Sequence, residues 1–405
     1  MQKTLKTFEL LAPAGDLDKL KTAVRFGADA VYLASGSFGL RARAANFSLE
    51  QLREARRITH EAGVKIYLTL NASLRATEFP PLRDLLEELR PLDLDAYIVA
   101  DAGVLATVRQ IDPQRKLHLS TQANTCNPLA AAFWQQAGVC RINLARELTL
   151  ADMGAFAPEV DVELEAFVHG AMCVAHSGRC LISSALAGRS ANRGDCAQPC
   201  RWHYQLTEEL RPGQPMRVEE DQRGTYFFNS RDLCLVDHLA ELAATGVRSF
   251  KIEGRMKGIY YVAITTDVYR QAIDRLQQGV RQSDPRWREE LETVSHRPYD
   301  NGFLFGSTDA KVHHGDTHYI RTYDFVGVLE SSPQGLFIAT KNRFFAGETL
   351  ELIGPGLRRT ALVVKNLQNL KGEDLNLAQP NSQVKIEGLP TWATAGDMLR
   401  RRKAD

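Results

Sequence analysis

Between residues 8 and 256 the chain repeats one pattern eight times: a short apolar run, then a stretch with helical spacing. The runs lie in FELLAPAG, ADAVYLA, KIYLTLN, AYIVAD, KLHLSTQA, RINLAREL, VELEAFVHG and RSFKIEGR. Helical periodicity is plainest from Leu49 to Ala62 and from Lys257 to Gln278. A strand covered on both faces reads as a nearly continuous apolar run, and parallel neighbours need a crossover between them. Eight such units predict an α/β fold, a TIM-type (β/α) barrel, regular or distorted. A doubly wound open sheet is the competing arrangement, but no G-x-G-x-x-G follows the first run.

A barrel of this kind places its reacting groups at the C-terminal ends of the strands. The residues there are Pro13, Gly15, Asn71, Asp101, Gln122, Asn124, Arg146, Glu147, His169, Glu253 and Arg255. Each alone reads as a helix cap or a loop hydrogen bond, and Asp16 and Asp101 look like helix-start residues. As a set they predict a shared pocket. Arg41, Arg43, Asn71, Gln122, Asn124, Arg146 and Lys251 are the substrate-binding candidates, their cations suited to phosphate or carboxylate. Glu165, His169, Glu253 and Arg255 are the catalytic candidates, with Glu165 and Glu253 equally readable as buried partners of arginines.

One segment, residues 163–203, departs from the pattern by holding Cys173, Cys180, Cys196 and Cys200, four of the chain's seven cysteines. The chain carries 50 basic and 49 acidic side chains, no signal-peptide pattern at its start and no apolar run long enough to span a membrane. That predicts a cytoplasmic setting, where clustered thiols are ligands rather than disulfides. Structural zinc favours closely spaced ligands, a spacing only Cys196–Cys200 meets. The wider Cys173–Cys180 spacing suits an iron–sulfur cluster. Zinc and plain reduced core thiols remain the other readings. Cys126, Cys140 and Cys234 read as core thiols.

A polar insert at 205–225 follows, and from Gln282 to Tyr319 the pattern turns irregular. His313, His314 and His318 read there as part of a solvated loop. From Asp324 onward five short β-like runs separated by turns predict a small antiparallel β-barrel. The expected organisation is a barrel at 1–285, a linker at 286–320 and a β-domain at 321–405. Lys341, Asn342, Arg343, Phe344, Phe345, Arg358, Arg359 and Lys365 give that domain either an RNA-binding face or an ordinary charged surface. The net charge of +1 makes any nucleic-acid contact local.

The string ELEAFVHGAMCVAHSGRCLISS, with ELLAPAG, GADAVYL, LHLSTQAN, GDCAQPCRW, NSRDL and FKIEGRMK before Tyr260–Tyr261, resembles the collagenase-like peptidase family, family thirty-two of the unassigned peptidases. The matches span residues 8–305, and the tail resembles that family's C-terminal β-domain. FVHGAMCVAHSGRC, CAQPCRW, NSRDL and HRPYDNGF look most like its tRNA-hydroxylating branch. The resemblance implies an oxygen-independent RNA hydroxylase forming 5-hydroxyuridine at the wobble position of a tRNA anticodon loop. It implies a 4Fe–4S cluster on Cys173, Cys180, Cys196 and Cys200, prephenate as co-substrate and a partner that donates electrons. Hydroxylation of a ribosomal RNA cytidine or of a small aromatic or quinone precursor is the alternative. A peptidase, after the family's older label, and a zinc-stapled RNA-binding module are two more, though no HExxH or G-x-S-x-G is present. Between Trp202 and Tyr226 the chain is shorter than the branch's longer members.

Overall fold

The computed structural model describes residues 8–36, 38–39, 46–172, 178–201, 219–221, 224–226, 229–306, 312–313 and 319–403. Arg41, Arg43, Cys173, His314 and His318 lie outside the described residues. Seven parallel strands pair in chain order: β1 (Glu9–Pro13), β2 (Ala30–Leu33), β3 (Lys65–Leu70), β4 (Ala96–Val99), β5 (Lys116–Leu119), β6 (Arg141–Asn143) and β7 (Glu163–Ala171). A short β8 (Asp232–Cys234) follows, and β9 (Val247–Ile252) then pairs with both β7 and β1. The eight parallel strands thus close into the expected TIM-type barrel.

The helices outside it are α1 (Leu17–Arg25), α2 (Leu49–Glu61), α3 (Phe79–Leu89), α4 (Ala102–Ile111), α5 (Pro128–Gln136), α6 (Leu150–Gly154), α8 (Leu239–Ala244) and α9 (Ile259–Gln277), with α7 (Ile182–Ala187) in the cysteine segment and α10 (Pro285–Leu291) after α9. Their starts are written locally. Ser48 and Gln51 cap each other reciprocally at α2, and the Asp16 and Asp101 carboxylates accept backbone N–H groups at α1 and α4. Both aspartates are therefore caps, as their positions suggested.

The β7–β9 seam is irregular twice. Leu164 and Glu165 face Val247 and Ser249, so Arg248 is an extra residue in β9. Phe167 and His169 face Lys251 and Ile252, so Val168 is an extra residue in β7. The second bulge turns β7 over: Glu165 and Phe167 meet Lys251 inside the barrel, whereas His169 packs beneath α9. β8 runs antiparallel to the end of β7, and β10 (Tyr299–Asp300) pairs with β8. The stretch expected as an irregular linker therefore opens with α10 and adds a strand to the barrel sheet.

The C-terminal domain is a seven-stranded antiparallel sheet. Its strands are β11 (Tyr323–Ser332), β12 (Gly335–Thr340), β13 (Thr349–Gly354), β14 (Arg358–Val363), β15 (Gln368–Asn369), β16 (Gln383–Lys385) and β17 (Met398–Arg402), in the order β14-β13-β17-β11-β12-β16-β15. It has its own core, including Val326, Leu329, Ile338, Phe344, Leu352 and Leu399. Charges join it to the barrel's outer helices. Arg400 donates to Glu290 at 2.8 and 3.0 Å, and Arg359 to the same carboxylate at 2.9 and 3.0 Å. Asp267 of α9 accepts the Gly356 and Leu357 N–H groups at 2.7 and 3.0 Å, and Arg25 of α1 meets Asp397 at 2.5 Å. Arg359 and Phe344, two of the groups read as an RNA-binding face, are thus taken up by the domain junction and the core. Among the described residues no helix is long and apolar enough to cross a membrane.

Candidate active site at the barrel mouth

The barrel interior carries a closed set of charges in its lower half: Glu9, Glu163 and Glu165 against Lys65, Arg141 and Lys251. Glu9 meets Arg141 at 2.5 Å and Lys65 at 2.9 Å; Arg141 meets Glu163 at 2.8 Å and Glu165 at 3.3 Å; Lys251 meets Glu165 at 2.9 Å. The Ser249 hydroxyl lies 3.2 Å from both Glu9 and Glu165, and the Tyr67 hydroxyl donates to Glu9 at 2.8 Å. Burial pushes the Glu9 carboxyl up, but Arg141 and Lys65 outweigh it and hold the group at about 2. Burial pulls the Arg141 guanidinium down, and Glu9 and Glu165 more than reverse that. Glu165 and Lys251, read from the sequence as a catalytic and a substrate-binding candidate, are bound to each other inside this network, and Glu165 also meets Arg141, in keeping with its other reading as a buried partner of arginines.

His169 is also removed from the mouth. It is 1% exposed, and its ring lies 5.4–5.8 Å from Tyr261, Tyr269 and Tyr299. Burial pulls its imidazole down to about 3, with Asp232 opposing weakly. It is a neutral side chain in an aromatic shell.

The groups that do gather at the strand exits come from six strands. The Tyr32 hydroxyl donates to the Ile252 carbonyl at 3.0 Å and lies 3.3 Å from Glu253 Oε2. Burial raises the Tyr32 phenol well above its usual value and Glu253 adds to it, while Arg255 and Arg146 act against it; all four therefore share one electrostatic neighbourhood. Arg255 donates to Thr69 Oγ1 at 3.1 Å. Arg146 donates to the Ala171 carbonyl at 3.0 Å, with its guanidinium 3.9 Å from the centre of the Phe167 ring. Lys251 Nζ forms the floor, 4.7 Å from the Tyr32 ring centre and 5.3 Å from that of Phe167. Asn71 donates to Ser120 at 3.1 Å, and Gln122 and Asn124 follow on the same rim, half-buried. Tyr32, Phe167, Glu9 and Arg141 were not singled out from the sequence. The alternation of ADAVYLA carries the signal for Tyr32, which falls on the inward face with Ala30.

The cysteine segment crosses this mouth. At Gly178 (φ +73°) a Cβ would lie 2.1 Å from the Gln122 carbonyl oxygen, so only glycine allows the segment to rest on the β5 exit. Further along, the Asn192 carbonyl accepts the Ser73 N–H at 3.2 Å. Arg193 donates to the Ser73 carbonyl at 3.0 Å and to both Glu78 oxygens at 2.8 and 2.9 Å. The segment is thus tied across the exits of β3 and β5. Its start is held as firmly: at Gly170 (φ +106°) a Cβ would sit 2.4 Å from the Glu253 carbonyl oxygen.

Cys180, Cys196 and Cys200 are half-buried thiols on this segment. The Gln198 N–H donates to the Cys196 sulfur at 3.3 Å, a contact that steadies a thiolate. α7 packs against the turn carrying Cys200, folding the segment back on itself. The chemistry of these donors fits a thiophilic metal or cluster. Among the described residues no three Cys, His, Asp or Glu side chains are grouped as a metal site, and Cys173 is outside them. Cys234, 0% exposed beneath Tyr269, is a core thiol that burial pushes up to about 11.

Residues 15–314 match the sequence pattern of Peptidase family U32, and residues 321–400 that of the Peptidase family U32 C-terminal domain. The chain is 34% identical over 403 residues to tRNA hydroxylation protein P1 of Bacillus subtilis (strain 168), covering 98% of this chain and 95% of that protein. It is 35% identical over 417 residues to tRNA hydroxylation protein P of Escherichia coli (strain K12), covering 91% of each. It is 38% identical over 312 residues to 23S rRNA 5-hydroxycytidine C2501 synthase of Escherichia coli (strain K12), covering 77% of this chain and 45% of that protein. A closed barrel, a cysteine segment across its mouth and an appended β-domain are thus accompanied by sequence identity along nearly the whole length, and the chain belongs to peptidase family U32.

Proposed function

We propose that this chain is an RNA hydroxylase that forms 5-hydroxyuridine at the wobble position of a tRNA anticodon loop, without molecular oxygen. The observation that carries the reading is the cysteine segment tied over a mouth lined by Arg146, Arg255, Glu253 and Tyr32. Similarity to proteins named for tRNA hydroxylation and for 5-hydroxycytidine synthesis supports a pyrimidine of RNA as the substrate.

Cys173, Cys180, Cys196 and Cys200 would hold a 4Fe–4S cluster, which when bound supplies the redox chemistry that side chains lack. The chain's own residues have other tasks. Arg146 and Arg255 hold anionic groups, either loop phosphates or the carboxylates of a co-substrate such as prephenate, because a guanidinium matches both in shape. Anticodon-loop bases are already splayed, so a base can reach the mouth without the opening of a duplex. Glu253 Oε2 is the carboxylate placed to receive the proton that carbon 5 gives up. Tyr32 keeps its own proton and holds that carboxylate in position. Uridine and water give 5-hydroxyuridine only with loss of two electrons and two protons, so a redox partner must take those electrons up unless the co-substrate brings its oxygen at that oxidation level.

Mass spectrometry of nucleosides from cells with and without the gene tests the reading. Loss of 5-hydroxyuridine derivatives from tRNA, and the same loss in a Cys196→Ala strain, is the expected result. Unchanged tRNA with loss of a hydroxylated ribosomal cytidine would transfer the same chemistry to ribosomal RNA.

A further inference from the structure

From Leu117 to Cys140 the chain has no Asp, Glu, Lys or Arg, although 24% of all its residues are charged and a stretch this long would ordinarily hold about six. Other barrel helices keep charged outer faces: α2 reads LEQLREARRITHE and α3 reads FPPLRDLLEEL, and the adjacent α4, AGVLATVRQI, keeps one arginine, whereas α5 reads PLAAAFWQQ. The inner side of α5 packs normally, with Ala131 at 0% exposure and Trp134 against the main core. The outer side presents Leu129 at 83% and Phe133 at 61% exposure. These are four residues apart and so lie on one face, with Phe133 edge-on to Trp134 at 5.4 Å between ring centres. A helix without a polar face belongs in an interior.

We propose that this face of α5 is a contact between two copies of the chain related by a two-fold axis. Charge selects the occupant. RNA requires cations for its phosphates, and a membrane surface requires a basic rim and a longer helix; α5 has neither. A charged protein partner would find no complement. A second copy presents the same face, and a two-fold axis sets the patch against itself, so an uncharged patch meets no like charge. The exposed amide of Gln136 both donates and accepts, so it can pair with its own copy.

The contact would reach the site. α5 begins at Pro128, close after Gln122 and Asn124, on the loop against which Gly178 of the cysteine segment rests. Leu181, 71% exposed, follows Gly178 on that segment. The second copy braces the β5 exit and the segment from outside, whatever the substrate is.

Sedimentation of the full chain at rising concentration tests this. A dimer should form, and raising the salt should leave its dissociation constant unchanged within about twofold, because no ion pair holds it. Phe133→Glu and Phe133→Lys should each weaken the dimer at least about tenfold, since each puts two like charges into one small apolar contact, and mixing the two variants should restore it. Unaltered melting and circular dichroism would show that both variants fold. A wild-type monomer at all concentrations, a dimer that salt dissociates, or a dimer indifferent to both substitutions would each overturn the proposal.

Discussion

Glu165 shows how a residue's partners outrank its place in the sequence. Its carboxylate is 2% exposed and satisfies Lys251 and Arg141 together. Glu165→Gln leaves both cations short of a counter-charge in a dry interior, and urea unfolding should show a loss of about 3 kcal/mol. The linear pattern told which side chains face inward but not how high in the barrel each sits. The reading of Glu165 as a buried partner of arginines was legible and holds, but Arg141 and Glu9, which complete the network, are distant in sequence from it, so which arginine it meets was not. His169 makes a pH prediction. Its folded value of about 3 lies below the ordinary 6.5, so the unfolded chain binds the proton first. Stability should therefore fall as pH drops through 6.5 toward 3, by about 2 kcal/mol for this group between pH 7 and 5. Burial shifts His118 and His296 in the same direction. Glu9 adds a second loss below its ordinary 4.5 as pH approaches 2. Denaturant midpoints measured at pH 7, 6 and 5 check this, and His169→Phe should flatten the slope.

Among the elements, the cysteine segment is tied to the barrel at separate points, so its anchors can be tested singly. Arg193→Ala removes the bonds to Glu78 and the Ser73 carbonyl. That pair is about a third exposed on each side, so the barrel's stability should change by less than about 1 kcal/mol. Limited proteolysis within 178–201 should nonetheless quicken, and tRNA hydroxylation should fall. All eight barrel strands were legible because strands buried on both faces are apolar runs between helical stretches. α2 (Leu49–Glu61) and α9 (Ile259–Gln277) end within two residues of the boundaries read from periodicity and caps. The two bulges were not legible. Arg248 and Val168 become extra residues only through pairing between β7 and β9, and that pairing is what sends His169 outward. The residue type and spacing of the cysteines carry the expectation of a soft-metal ligand set, while their arrangement depends on contacts with Gln122, Ser73 and Glu78 from other strands.

At the scale of the whole molecule, the C-terminal domain is docked by buried charge rather than tethered. Arg400, 2% exposed, donates to Glu290, Thr293 and Tyr260 across the junction and pairs with Glu351 at 2.5 Å within its own domain. Arg400→Ala should cost about 3 kcal/mol and split a single thermal transition into two, read by calorimetry. Retention of one unshifted transition would mean that the remaining contacts hold the domains together. The attachment points also have a mechanical meaning. α9 begins just after Arg255, takes the β-domain's Arg400 through Tyr260 at its first turn, and takes Gly356 and Leu357 through Asp267 near its middle. It is a strut with one end at the mouth and its length bolted to the appendage. A load on the β-domain, such as the pull of a bulky ligand held at its far side, would travel along that strut to the short turn at 256–258 that directly follows Arg255.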